Sequence, residues 1–501
     1  MTDQTTHFDE GASPVSTAVR SEVADAKPGA MSRRDVTIIA VLLVSTFVVI
    51  LNETIMSIAL PVLAADLHVD FSQAQWLTSG FLLTMAVVIP VTGFLIRRVR
   101  SRVLFTLAMS LFSLGTLVAA LAPSFEILLV ARVVQASGTA IMMPLLMTTV
   151  MTLVPAQRRG AVMGNIGTVI SVAPAIGPAI SGLVLHYLGW RAVFLVVLPI
   201  AVAALVFGIK RMIDVGEPEH VRVDPISVVL SALGFGALVY GLSSFGHAAG
   251  SGGLPGWVPI VGGVVVLAIF VGRQFQLQRT DSALLDLRTF SSGGFTVAAV
   301  LMMLMMTTLF GAIILLPIYM QTVMGLDTQT AGLVLLPGGL VMGLLGPIVG
   351  RLYDRFGARP LLVPGMVVTS LSLWSTTLFT SQTGIPLLMT FHILLSVGLA
   401  FVFTPLFTSG LGAVQPKYYS YGSAIFGTTQ QLAGAAGVAL LVSIMTARSS
   451  SLAAAGAVPV EAAVGGIHSA FLVAAILSLV GIVGAFFVRT PDTSEGAPVG
   501  H

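Results

Sequence analysis

The chain has 501 residues, of which 56% are hydrophobic and 9% charged, with a formal net charge of +3. A soluble domain carries roughly 25% charged residues, so this composition excludes an ordinary soluble fold and specifies a polytopic membrane protein. There is no cysteine, which excludes disulfides, thiolate metal sites and cysteine nucleophiles, and the small net charge gives no sign of a nucleic-acid partner.

Residues 1–35 are polar, small and of mixed charge and are predicted to form a disordered tail. They lack the basic, apolar and small-residue succession of a cleaved signal peptide. A spanning helix needs about 20 mostly apolar residues. Segments that meet this run Val36–Leu63, Ala74–Ile96, Val103–Leu121, Ile127–Leu153, Ala161–Leu185, Ala192–Phe207, Ile226–Phe245, Trp257–Gln274, Phe295–Thr322, Thr330–Leu352, Leu361–Phe379, Pro386–Leu411, Gly422–Thr446 and His468–Val488. The predicted fold is therefore an all-α polytopic membrane protein with fourteen transmembrane helices and a second polar tail over 491–501.

Orientation follows from Lys and Arg, which concentrate in cytoplasmic loops. With the N-terminus cytoplasmic, only Arg191 and Arg448 fall outside and Arg132 falls within a span. The other 21 of the 24 basic residues lie inside, which favours an even number of spans with both termini cytoplasmic in a bacterial-type plasma membrane.

Two loops repeat. Gly93-Phe-Leu-Ile-Arg-Arg-Val-Arg-Ser-Arg102 follows the second span, and Gly350-Arg-Leu-Tyr-Asp-Arg-Phe-Gly-Ala-Arg359 follows the tenth. Each is a glycine followed by a tight basic turn, with Asp354, Arg355, Gly357 and Arg359 in register in the second. Parallel repeats of this kind mark one large class of transporter. They divide the chain into an N-terminal six-helix bundle over 36–212, an inserted helix pair over 213–279 and a C-terminal six-helix bundle over 280–490.

Further motifs appear in order. They are Leu51-Asn-Glu-Thr-Ile-Met-Ser-Ile-Ala-Leu-Pro61, Leu129-Val-Ala-Arg-Val-Val-Gln-Ala-Ser-Gly138, Ala175-Ile-Gly-Pro-Ala-Ile-Ser-Gly182 and Leu316-Pro-Ile-Tyr-Met-Gln-Thr-Val-Met-Gly325 followed by Ala331-Gly-Leu-Val-Leu-Leu-Pro-Gly338. Together with the basic loops they resemble the major facilitator superfamily, and within it the fourteen-span drug:proton antiporters of the EmrB/QacA type, LmrB-like branch. The resemblance implies the major facilitator fold and proton-driven export of amphipathic or cationic small molecules by alternating access. It also implies a monomer with no cofactor or metal. The chain departs from the family pattern at Asn52, where many relatives carry aspartate and the acid here is Glu53. It departs again at Arg97 and Arg100, where aspartate and glycine are usual, and at Ala136, where a glycine is usual.

With a cytoplasmic N-terminus and 1.5 Å rise per residue, Glu53 lies about 12 Å below the outer end of the first span, and Arg132 and His392 lie about 10 Å below the outer ends of theirs. A carboxyl group in hydrocarbon costs several kcal/mol unless paired, hydrated or protonated. Unpaired burial favours its neutral form and a nearby cation its charged form, so Glu53 is the expected coupling group. Arg132 keeps its proton and the resemblance implies a proton-relay role for it. His392 titrates near neutrality and is a candidate second proton site. Asn52, Gln135 and Gln430 are expected polar groups of the substrate cavity. Met143, Met147, Met302 and Met306 offer flexible thioethers for varied apolar shapes, with plain packing as the alternative. Gly177, Pro178 and Gly182 are expected to kink the fifth span and let helices touch. Together with Gly350, Asp354, Arg355, Gly357 and Arg359 they form the conformational motifs. Export of an endogenous metabolite, lipid or peptide would use the same residues. A membrane-embedded enzyme would need a nucleophile–base pair or clustered metal ligands, and the sequence has no His-Glu-x-x-His and no Walker-type phosphate loop.

Overall fold

A computed structural model describes residues 31–215, 218, 224–245, 255–380 and 382–488. Residues 1–30 of the predicted first tail, the predicted tail 491–501 and the basic residues Arg20, Lys27, Arg222 and Arg489 lie outside the described residues.

Fourteen helices are long and apolar enough to cross a membrane. They are α1 (Arg33–Asp66), α2 (Trp76–Arg98), α3 (Ser101–Leu121), α4 (Phe125–Leu153), α5 (Arg159–Leu188), α6 (Trp190–Arg211), α7 (Pro225–Phe245), α8 (Trp257–Leu277), α9 (Gly293–Thr322), α10 (Thr328–Phe356), α11 (Arg359–Ser375), α12 (Ile385–Gly412), α13 (Tyr419–Ala454) and α14 (Pro459–Ala485). No strand occurs among the described residues. Hydrocarbon offers backbone groups no partner, so each span must satisfy its own N–H and C=O groups as a helix.

Local sequence sets the helix ends. The Ser32 hydroxyl accepts from the Asp35 N–H to open α1, and the Asp327 carboxylate accepts from the Thr330 N–H, 2.9 Å, to open α10. Pro360, Pro386 and Pro459 stand in the first turns of α11, α12 and α14, where a missing N–H costs nothing. Several helices outrun their apolar segments, most of all α13, which continues eight residues past Thr446, and α14, which starts nine residues before His468. Hydropathy locates the hydrocarbon boundary, whereas a helix stops only where its hydrogen-bond ladder is broken. At α14 the ladder starts at Pro459, and Glu461 in its first turn suits the positive helix end.

Helix pairing displays the repeat. In the first bundle α1 packs on α5, α4 and α6, α2 on α4, and α3 on α4 and α6. In the second, α9 packs on α13, α12 and α14, α10 on α12, and α11 on α12 and α14. Every one of these second-bundle pairs is a first-bundle pair moved on by eight helices. The bundles meet along two seams related by the same shift, α5 against α10 and α2 against α13. The inserted pair packs on itself, and α7 lies over α2 and α13, where Trp76 stacks on Tyr240 with ring centroids 5.8 Å apart.

Candidate functional site

The deepest polar cluster grows from α4. Arg132 is 1% exposed, and such a charge is tolerated in an apolar bundle only when its donors are satisfied. Its Nη1 donates to Gln135 Oε1 at 2.6 Å and to Asn52 Oδ1 at 3.1 Å, and its Nε donates to the Leu77 carbonyl at 3.3 Å. The guanidinium also lies 4.1 Å from the centroid of the Phe81 ring. Gln135 sits one turn along α4 and passes the line on, its Nε2 donating to Thr116 Oγ1 at 2.8 Å, while Thr116 donates to the Phe112 carbonyl. Every acceptor around Arg132 is neutral.

Glu53 follows Asn52 on α1 but points about 100° further round the helix. It is half-buried and makes no hydrogen bond or ion pair with any described residue, although Arg132 is near enough to act on it electrostatically. The Asn52 to Arg132 bond fixes these two groups at one level. The next residues of α1 bind it to α5. The Thr54 hydroxyl lies against Gly177, and the Ile55 carbonyl accepts from Ser181 at 3.0 Å.

Several expected site residues stand elsewhere. Asn52 and Gln135 are 1% and 0% exposed and both accept from Arg132, while Asn52 Nδ2 has no hydrogen bond to a described residue. Met147, Met302 and Met306 belong to the apolar core, with Met143 packed against it, because the unbranched thioether fills the gaps between closely packed helices. His392 does not join Glu53 and Arg132. It packs on Gly338 of α10 inside the second bundle, and its Nδ1 is buried without a partner among the described residues. Gln430 is half-buried with no hydrogen bond to a described residue, whereas its neighbour Gln431 reaches Met85 Sδ on α2 at 3.6 Å. Gly177 does allow a close helix approach. Gly182 does not, since a Cβ there would meet nothing within 4 Å. Pro178 lies within α5, and its side chain is outside the described residues.

The second basic loop builds a contact between bundles. Asp354, at the end of α10, accepts from the Gly160 N–H at 2.7 Å and the Ala161 N–H at 2.8 Å, in the first turn of α5. A carboxylate at a helix N-terminus meets both free donors and the positive end of the dipole. Above it α5 and α10 touch backbone to backbone. A Cβ on Gly160 or Gly164 would strike the carbonyl oxygens of Gly350 or Gly346, and Thr168 donates to the Gly343 carbonyl at 2.7 Å. Gly357 ends α10 with φ +79°, a conformation that favours glycine. Arg359 donates from Nε to the Val488 carbonyl at 3.0 Å, and Arg355 is exposed beside Phe356. The matching Arg100 has φ −54°, which explains why no glycine is needed there. Sequence reasoning missed the roles of Tyr421 and Gln274, both buried polar partners described below. No pattern marks either in the sequence, since each lies in a polar helix turn, Tyr419-Ser-Tyr-Gly-Ser423 and Arg273-Gln-Phe-Gln276.

Residues 42–438 match the Major Facilitator Superfamily. The chain is 41% identical over 459 residues to the uncharacterized MFS-type transporter YcnB of Bacillus subtilis (strain 168), covering 91% of this chain and 95% of that one. It is 38% identical to the lincomycin resistance protein LmrB of the same organism, covering 89% of this chain and 94% of the relative, and 38% identical to LmrB of Listeria monocytogenes, covering 92% and 98%. Its fold is like that of the human organic anion transporter MFSD10 (TETRAN), TM-score 0.65 at 14% identity, covering 91% of this chain and 99% of that one, and of the proton:xylose symporter XylE, TM-score 0.62 at 15% identity, covering 93% and 98%. Two bundles repeated by eight helices, an inserted pair and relatives matched over nearly their full length lead to one assignment: the chain is a multi-pass membrane transporter of the major facilitator superfamily, not an enzyme.

Proposed function

We propose that the protein is a proton-driven exporter of amphipathic drugs, working as a monomer by alternating access in the bacterial plasma membrane with both termini cytoplasmic. The observation that carries this reading is the free carboxyl of Glu53. It lies at the level of Arg132, yet the hydrogen bonds of Arg132 Nε and Nη1 go to neutral acceptors. A static ion pair would have consumed both charges. Glu53 is instead available to exchange a proton for a cationic or polar substrate group. The basic loops set the orientation. The α5–α10 seam, tight at the end carrying those loops, then closes the cytoplasmic side. The relatives named for lincomycin resistance support an antibiotic as substrate, and lincomycin is the first to try.

The test is ethidium and lincomycin uptake into inverted membrane vesicles under an imposed acid-inside gradient, comparing wild type with Glu53→Gln at equal expression. Wild-type uptake that collapses with an uncoupler and is absent in the variant supports the reading. Equal uptake by both proteins removes Glu53 from the coupling. No gradient-driven uptake of either compound by wild type overturns drug export and favours a dedicated metabolite.

A further inference from the structure

The two seams are related by the repeat but are not closed by the same chemistry. The register of the basic loops pairs Gly93 with Gly350 and Arg97 with Asp354. The starts of α5 and α13 pair Gly160 with Ser420 and Ala161 with Tyr421. The close approach is kept, since a Cβ on Gly93 would lie 3.1 Å from the Ser420 carbonyl. The charge is reversed. Where Asp354 caps α5, Arg97 stands beside the first turn of α13, and a guanidinium has the wrong sign for a helix N-terminus. Arg97 instead donates from Nη1 to the Tyr421 hydroxyl and lies over its ring, 5.0 Å from the centroid.

What completes this contact comes from the segment linking α8 to α9. The Tyr421 hydroxyl donates to the Ala283 carbonyl at 3.2 Å. Arg288 donates to the Asp281 carboxyl, which holds it below the usual range, and lies over the ring of Tyr418 at the start of α13, 5.6 Å from its centroid. Arg288 also clamps Asp286, which is 1% exposed. The segment is anchored to the inserted pair. Gln274 of α8 accepts from the Leu284 N–H at 2.8 Å and the Leu285 N–H at 3.3 Å, and donates to Ser227 Oγ at 2.9 Å. Ser227 donates to Asp224, which pairs with both Nε and Nη2 of Arg273 at 2.6 and 2.8 Å. An unbroken line of hydrogen bonds thus runs from the first bundle through α13 into the inserted helices.

We infer that the inserted pair α7–α8 and segment 281–288 form a clasp for the α2–α13 seam, in which Arg97, the Tyr421 hydroxyl, the Ala283 carbonyl and the Arg288–Asp281 pair make the contact that Asp354 makes at the other seam. Among the described residues α7 packs on both helices of this seam, α2 and α13. The clasp has a function only if the seam opens and closes, so it rests on the alternating-access reading above.

The chain has no cysteine, so spin labels can be placed at will. One pair, Arg100→Cys with Gln415→Cys, reports on the clasped seam, and a second, Arg158→Cys with Arg355→Cys, reports on the other. Distances are read by electron paramagnetic resonance with and without ethidium and across pH. Loss of a hydrogen bond to a charged group shifts an equilibrium by about tenfold. Tyr421→Phe, which keeps the ring, and Asp281→Asn are each expected to raise the open-to-closed ratio at the clasped seam by about that factor. In an Arg97→Asp background, where the new carboxylate can cap α13 directly, Asp281→Asn is expected to have no such effect. Wild-type distances in both variants overturn the clasp while the wild-type response to ethidium and pH leaves the transport reading standing. Distances that never move in wild type, at either pair, overturn the transport reading and the clasp with it.

Discussion

Arg132 donates to Asn52 Oδ1 at 3.1 Å, while Glu53, the next residue along α1, has no partner among the described residues. Shifting the acid by one position along a helix turns it about 100° away from the arginine. The arginine is then held by neutral acceptors and the carboxyl is left free. Arg132→Lys would keep the charge but lose the planar fork that reaches three acceptors. It should lower stability by about 1–3 kcal/mol, seen as a lower thermal midpoint in detergent. An unchanged midpoint would show that the cluster is not structural.

Glu53→Gln should separate activity from stability. The carboxyl makes no contact that the amide would break, so the thermal midpoint should stay near that of wild type while gradient-driven efflux is lost. A large drop in the midpoint would mean that Glu53 has a structural partner in another state.

Closing the α5–α10 seam depends on bare backbone. Gly164→Val sets two methyl groups against the Gly346 carbonyl. Overpacking of this kind costs about 1–3 kcal/mol, and here it acts on the closed state selectively. The variant should be folded but should not export, and a cysteine pair across this seam should crosslink more slowly than in an otherwise wild-type background. Unimpaired crosslinking would show that the seam has room to yield.

His392 is packed in the second bundle against Gly338, away from Glu53. His392→Leu should therefore leave the pH profile of efflux unchanged, whatever its effect on expression. A displaced profile would restore His392 as a proton site.

The Asp224–Arg273 pair ties α7 to α8. The hydrogen bond from Arg273 holds the Asp224 carboxyl well below the usual range, with Ser227 adding to it. A depressed carboxylate contributes stability that is fully present above its unfolded value, about 3.9, and is lost as pH falls through the lower folded value. The difference in thermal midpoint between wild type and Asp224→Asn should thus be constant from pH 7 to about 5 and shrink only below about 4. A difference that vanishes near neutrality would contradict the pairing.

How much was legible divides along physical lines. The sequence by itself determined the number of spans and the repeat. Hydrophobic length and helical rise are local quantities, and a helix in lipid satisfies its own backbone. Gly350, Asp354 and Gly357 were readable as a motif for the same reason, since a helix end and its turn are built from consecutive residues. Which groups touch across helices was decided only in the tertiary structure. Asn52 read as a cavity residue until the packing of α1 on α4 brought it to Arg132, and Gln135 reaches Arg132 along α4 itself. His392 shares their level but faces another helix. Tyr421 gives no sign of its role until the seam brings Arg97 and Ala283 to its hydroxyl. Level along a helix follows from counting residues, whereas azimuth and partner depend on how every other helix packs around it.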